Sequence, residues 1–88
     1  MNSIQVIMTI DPEKQLSNFA ELVKHEREFI DRWKQEGILE NFFLRQSKNG
    51  AVLIFKELTE AEVKALITSL PLYPYMKTVE YFALIKQF

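Results

Sequence analysis

Glu26 and Arg27 are neighbouring charged residues set inside an apolar stripe of helical period. Advancing about 100° per residue, the stripe passes through Leu16, Phe19, Ala20, Val23, Ile30 and Trp33, and this pair falls between Val23 and Ile30. Charged side chains at such positions are seldom buried unless something compensates them. A carboxylate facing an apolar pocket has its pKa raised by desolvation and moderated by a nearby cation, which suits it to act as a general base near neutral pH. The structural alternative is a narrower stripe, with both side chains reaching to its edges or forming an ion pair.

Other residues stand as candidates around that pair. Arg45, on a strand beside Phe42 and Phe43, has the fork geometry to clamp a carboxylate ligand, or else sits at the sheet edge in solvent. Leu22, Phe29 and Trp33 widen the stripe on one side, as core, subunit contact or pocket wall. His25 projects the opposite way with Glu21, Glu28 and Arg32, and a lone histidine without companion ligands does not make a metal site. The segment Leu70-Pro71-Leu72-Tyr73-Pro74-Tyr75-Met76 is apolar and stiff, because each proline fixes its own φ and restricts the residue before it. Connecting loops are usually polar, so a rigid aromatic one is expected to cover a pocket or a neighbouring subunit, with Tyr73 and Tyr75 in the lid. No cysteine is present for nucleophilic attack, one histidine gives no triad, and two glycines give no phosphate-binding loop. Catalysis by this chain would therefore be proton transfer without a cofactor or metal.

The elements that must position these groups follow from pattern. Ile4 to Ile10 alternates as a strand, and Asp11-Pro12 supplies a helix start for a helix running to about Gln35 and stopping at Gly37. A strand around Asn41 to Gln46, the pair Asn49-Gly50 and a return strand from Ala51 to Lys56 read as a hairpin. Thr59 and Glu62 have capping-box spacing at the start of a second helix ending near Ser69, and Thr78 to Gln87 reads as the last strand. The order is βαββαβ, an α+β, ferredoxin-like arrangement of a four-stranded antiparallel sheet with two helices on one face. Val79, Tyr81, Ala83 and Ile85 alternate with Glu80, Phe82, Leu84 and Lys86 in the last strand, and Val52 and Ile54 with Ala51, Leu53 and Phe55 in the third, so both sheet faces are substantially apolar. A second copy is expected to cover the outer face, giving a homo-oligomer of at least two chains.

Composition agrees. Eighty-eight residues (1–88) make a single domain, and 48% hydrophobic content without cysteines favours stability gained by association. The absence of cysteine also fits a reducing, cytoplasmic setting. A net charge of −1 without a basic patch argues against nucleic acid as partner. No basic leader precedes the first strand, and no apolar run reaches the roughly 18 residues of a membrane span.

Two blocks carry a resemblance to the muconolactone isomerase family of the dimeric α+β barrel superfamily. One is Leu22-Val23-Lys24-His25-Glu26-Arg27-Glu28, continuing through Arg32 to Gln35-Glu36-Gly37; the more specific one is Leu70 to Met76, followed by Val79. The resemblance covers nearly the whole chain. It implies a ferredoxin-like protomer packing its sheet on a second one, larger rings of such dimers, and movement of a double bond within an unsaturated lactone. It further implies that Glu26 is the acid/base, that Arg27 binds the substrate carboxylate or developing charge, and that Tyr75 is the loop tyrosine. The family pattern also has an aromatic residue after the helix and a histidine near the hairpin, where this chain reads Ile38-Leu39 and Gln46-Ser47-Lys48-Asn49. Its position equivalent to His25 is acidic. These departures leave open a different substrate, or a small-molecule-binding or scaffold protein that catalyses nothing.

Overall fold

In the computed structural model, which describes residues 2–10, 18–46 and 49–88, alternation sorts the first strand as expected. Ile4, Val6 and Met8 of β1 (Asn2–Ile10) are buried, while Gln5 and Ile7 between them are half-buried on the other face. The chain continues through α1 (Phe19–Gln35), β2 (Leu39–Leu44), β3 (Gly50–Lys56), α2 (Glu60–Thr68), a short 3₁₀ turn (Tyr73–Tyr75) and β4 (Met76–Ile85). The strands form one antiparallel sheet in the order β2-β3-β1-β4. The fold is thus the α+β, ferredoxin-like arrangement expected from the sequence, with β1 and β3 central.

Ala51, Leu53 and Phe55 of β3 lie on the same face as Ile4, Val6 and Met8. Ile30 and Trp33 of α1 and Val63 and Ile67 of α2 close the core over them. Trp33 packs against Phe55 with ring centroids 5.6 Å apart and against Phe29 at 6.2 Å. Helix α2 begins with the expected capping box: the Glu62 amide donates to Thr59 Oγ1, and the Thr59 amide donates to Glu62 Oε1. Gly37 closes α1 with φ of 78°, a left-handed conformation that favours glycine.

Several boundaries differ from the sequence reading. The helix start at Asp11-Pro12 and the stripe residue Leu16 lie outside the described residues, as do Ser47 and Lys48 of the hairpin. Strand β2 ends at Leu44, so Arg45 follows the strand rather than standing on it. Strand β4 starts two residues earlier than expected, at Met76, and a register shift beside Thr9 and Ile10 accommodates Lys77. Gly50 is the first residue of β3 and not the tip of a two-residue turn. A Cβ there would run into the Met8 carbonyl oxygen, so close backbone approach demands the glycine.

Candidate functional site

A cavity of about 340 Å³ opens between α1 and the sheet. Phe19, Val23 and Ile30 descend from α1, Met8 and Ile10 rise from β1, and Phe42 and Leu44 come from β2. Gly50 and Ala51 form the β3 side, and Leu72 and Met76 close the end near β4. Phe19 and Val23 remain about two-fifths exposed because the helix stripe here borders the opening instead of a packed core. Among the described residues, the charged groups lining this cavity are Glu26 and Arg27.

These two neighbours do different things. The Glu26 side chain is half-buried, and its Oε1 accepts a hydrogen bond from the Leu72 amide at 3.3 Å. Burial pushes its pKa from 4.5 up to about 7, and the Leu72 hydrogen bond partly opposes that rise. Arg27, with 59% of its side chain exposed, turns to the rim, where its Nε lies 3.3 Å from Asp31 Oδ1. Its guanidinium also sits 5.4 Å above the Phe42 ring. Glu26 and Arg27 therefore form no ion pair with each other; Arg27 takes its acid from the next turn of the helix. The carboxyl group thus lines the apolar cavity, and the neighbouring cation stands at its mouth.

The loop expected to act as a lid works through its leucines. Leu70 and Leu72 are 2% exposed, whereas Tyr73 is 36% exposed and Tyr75 half-buried. Local turn bonds use the Tyr73 and Tyr75 amides, donating to the Leu70 and Leu72 carbonyls, and leave the Leu72 amide to Glu26. Neither tyrosine lines the cavity. Trp33 does not line it either, being 3% exposed in the adjoining core. Arg45 stands just outside, its aliphatic stem over Gly50. His25 is a surface residue 3.7 Å from Glu28. No cluster of potential metal ligands occurs among the described residues, and none of their helices is long and apolar enough to cross a membrane.

Sequence reasoning missed Leu72 as the hydrogen-bond donor to the acid. It also missed Met8, Leu44 and Met76 as cavity wall. The two prolines around Leu72 were a signal of a fixed backbone, but nothing local tells which amide is left unpaired.

The family model described as muconolactone delta-isomerase matches residues 3–85. No curated protein matches the chain in sequence. Among solved structures, a muconolactone isomerase superposes with a TM-score of 0.80 at 21% identity, covering 97% of this chain and 90% of that one. An antibiotic biosynthesis monooxygenase gives 0.67 at 18% identity, with 98% of both chains covered. A 5-chloro-2-hydroxyhydroquinone dehydrochlorinase from Burkholderia phenoliruptrix gives 0.57 at 10% identity, with 90% of both covered. At these identities the structural likenesses speak for the fold.

Proposed function

Because the chain belongs to the muconolactone delta-isomerase family, we propose that it moves a carbon–carbon double bond within a small unsaturated lactone or acid by cofactor-free proton transfer. The observation that carries this reading is Glu26, a carboxyl group held in an apolar cavity with a pKa near 7. Such a group is present in both protonation states at neutral pH, and one residue can then serve as base and acid in turn. The Glu26 carboxylate takes a proton from a carbon adjacent to the unsaturated system. The released electron pair delocalises into the carbonyl as an enolate. The Glu26 carboxyl then returns the proton to a different carbon, and the double bond has moved with no net change in the enzyme. Arg27, at the rim, meets the substrate's carboxylate or the developing oxyanion. Arg45, Trp33, Tyr73 and Tyr75 bear on binding from outside the cavity wall: Arg45 as a second cation beyond Gly50, Trp33 as packing behind α1, and the two tyrosines through the turn that presents the Leu72 amide to Glu26.

The working form in this reading is a homo-oligomer, a dimer through the outer sheet face or a ring of such dimers. Its support is the apolar outer face, where Phe43 is 55% and Phe82 42% exposed.

A turnover assay on muconolactone tests the proposal. The natural protein is expected to turn over, and Glu26→Gln to lose roughly 10²–10⁴-fold in kcat at unchanged assembled size. Turnover that survives the substitution removes Glu26 from the role. No turnover by either protein removes muconolactone as substrate. A second reading, a small-molecule-binding protein without catalysis, draws on the absence of a histidine near the hairpin (Gln46 to Asn49). It predicts stabilisation by ligand with no product.

A further inference from the structure

Outside the apolar cavity lies a second hollow of about 270 Å³, between the C-terminal half of α1 and the edge strand β2. Arg27, Ile30 and Phe42 line both spaces and form the partition between them. The outer hollow is polar, with Asp31, Lys34, Glu40 and Asn41 in its wall. Its charges do not cancel evenly. Asp31 is taken by Arg27 at 3.3 Å, and Glu40 lies 4.0 Å from Lys86. Lys34 forms no ion pair among the described residues. An anion entering the hollow would thus meet Lys34 directly and compete with Asp31 for the Arg27 guanidinium, which presents several donors in a planar fork. The inner cavity offers the opposite environment, nearly all hydrocarbon, at the small end of the usual size for ligand sites.

We propose that the two hollows form one divided binding site for an amphipathic acid. The apolar, unsaturated body occupies the inner cavity beside Glu26, and the carboxylate lies outside the partition on Arg27 and Lys34. Asp31 is then a positioning residue: it holds Arg27 at the partition and yields it when the carboxylate arrives. This assignment deepens the isomerase reading and rests on its placement of the substrate in the cavity. It specifies a ligand with an extended apolar portion, longer than a bare lactone ring.

Calorimetric titration with straight-chain acids from trans-2-butenoate to trans-2-decenoate, and with the matching 2-alken-1-ols, tests it. Affinity is expected to rise with chain length in both series, and the acids to bind more tightly than the alcohols. Lys34→Gln should weaken the acids about three-fold, since the site is partly solvated, and leave the alcohols unchanged. Asp31→Asn should tighten the acids by about two-fold, an effect opposite in sign to that of a loosened structure. The assignment is overturned if acids and alcohols respond alike to both substitutions, or if affinity does not rise with length. Muconolactone turnover measured on the same proteins separates the two ideas. Turnover without acid selectivity overturns the divided site alone, and acid selectivity without turnover removes muconolactone as the substrate and leaves the divided site standing.

Discussion

Glu26 links catalysis to folding, because the same desolvation that prepares it as a base costs stability whenever it is ionised. Its folded pKa, about 7, lies above its ordinary value of 4.5. Between these values the folded protein binds more protons than the unfolded chain, so stability falls as pH rises. The contribution is fully present below about pH 4.5 and lost as pH passes through about 7. Thermal melts of the natural protein and Glu26→Gln should therefore diverge across this window, the variant gaining relative to the natural protein toward pH 8. The gain is expected to be about 1–2 kcal/mol, less than a full conversion of the shift, because the carboxyl keeps some contact with solvent. Parallel melting curves from pH 4 to pH 8 would mean that Glu26 is not desolvated in solution. The Leu72 amide pulls the other way, favouring the carboxylate by its 3.3 Å hydrogen bond. Burial is the larger effect, which is why the group titrates near neutrality.

At the scale of elements, helical periodicity identified Glu26 and Arg27 correctly as interruptions of the α1 stripe, but it reports angle and not depth. Whether a residue at that angle is buried depends on what stands opposite. For Glu26 this is Leu72, 46 positions along the chain, and for Arg27 it is the ring of Phe42 at the edge strand. Strand alternation, the capping box at Thr59 and the Gly37 stop were legible because each is decided within a few residues. The Leu70–Met76 segment was legible as rigid and apolar, yet composition does not tell that its leucines turn inward while Tyr73 stays exposed. Asn49-Gly50 shows the same limit. The pair did mark a hairpin, but Gly50 is required by the approach of β1. Its missing side chain lets the Met8 carbonyl pass. Gly50→Ala would set a methyl group against backbone at a central strand pairing, where there is no flexible chain end to move aside. A loss of about 1–3 kcal/mol is expected in urea unfolding, the range for overpacking. A loss well below that range would show that β1 and β3 can separate slightly without cost. Gly37→Ala, at the end of α1, is not equivalent, since only backbone conformation opposes a side chain there.

At the scale of the whole molecule, the sheet has a face that its own helices do not cover. Register places Phe43, Val52, Ile7 and Glu80 in one row across β2, β3, β1 and β4, and Asn41, Ile54, Gln5 and Phe82 in the next. Sheets that keep one face in water carry polar residues there, and this face sets Ile7, Phe43, Val52, Ile54 and Phe82 among Gln5, Asn41 and Glu80, an apolar centre with polar neighbours. If two copies meet on it with two-fold symmetry, every residue of the interface is buried twice. Removing one buried phenyl group from each copy then costs roughly 3–6 kcal/mol per dimer, taking about 1.5–3 kcal/mol for each. That weakens association by roughly 10²–10⁴-fold, and burying an introduced charge adds to the loss. Phe82→Asp should therefore sediment as a monomer at concentrations where the natural protein is a dimer or larger. Phe43→Asp tests the opposite edge of the same face. Because neither side chain belongs to the core beneath the helices, far-ultraviolet circular dichroism should be unchanged in both. Unchanged sedimentation in both variants would place the contact elsewhere, and a monomeric natural protein would remove the association altogether. In the expected case, comparing turnover of the natural assembly and the Phe82→Asp monomer would show whether the cavity works alone. The cavity lies across the sheet from this face, so a monomer that keeps its fold should keep Glu26 buried. Any loss of turnover would then mean that the partner steadies the sheet from behind.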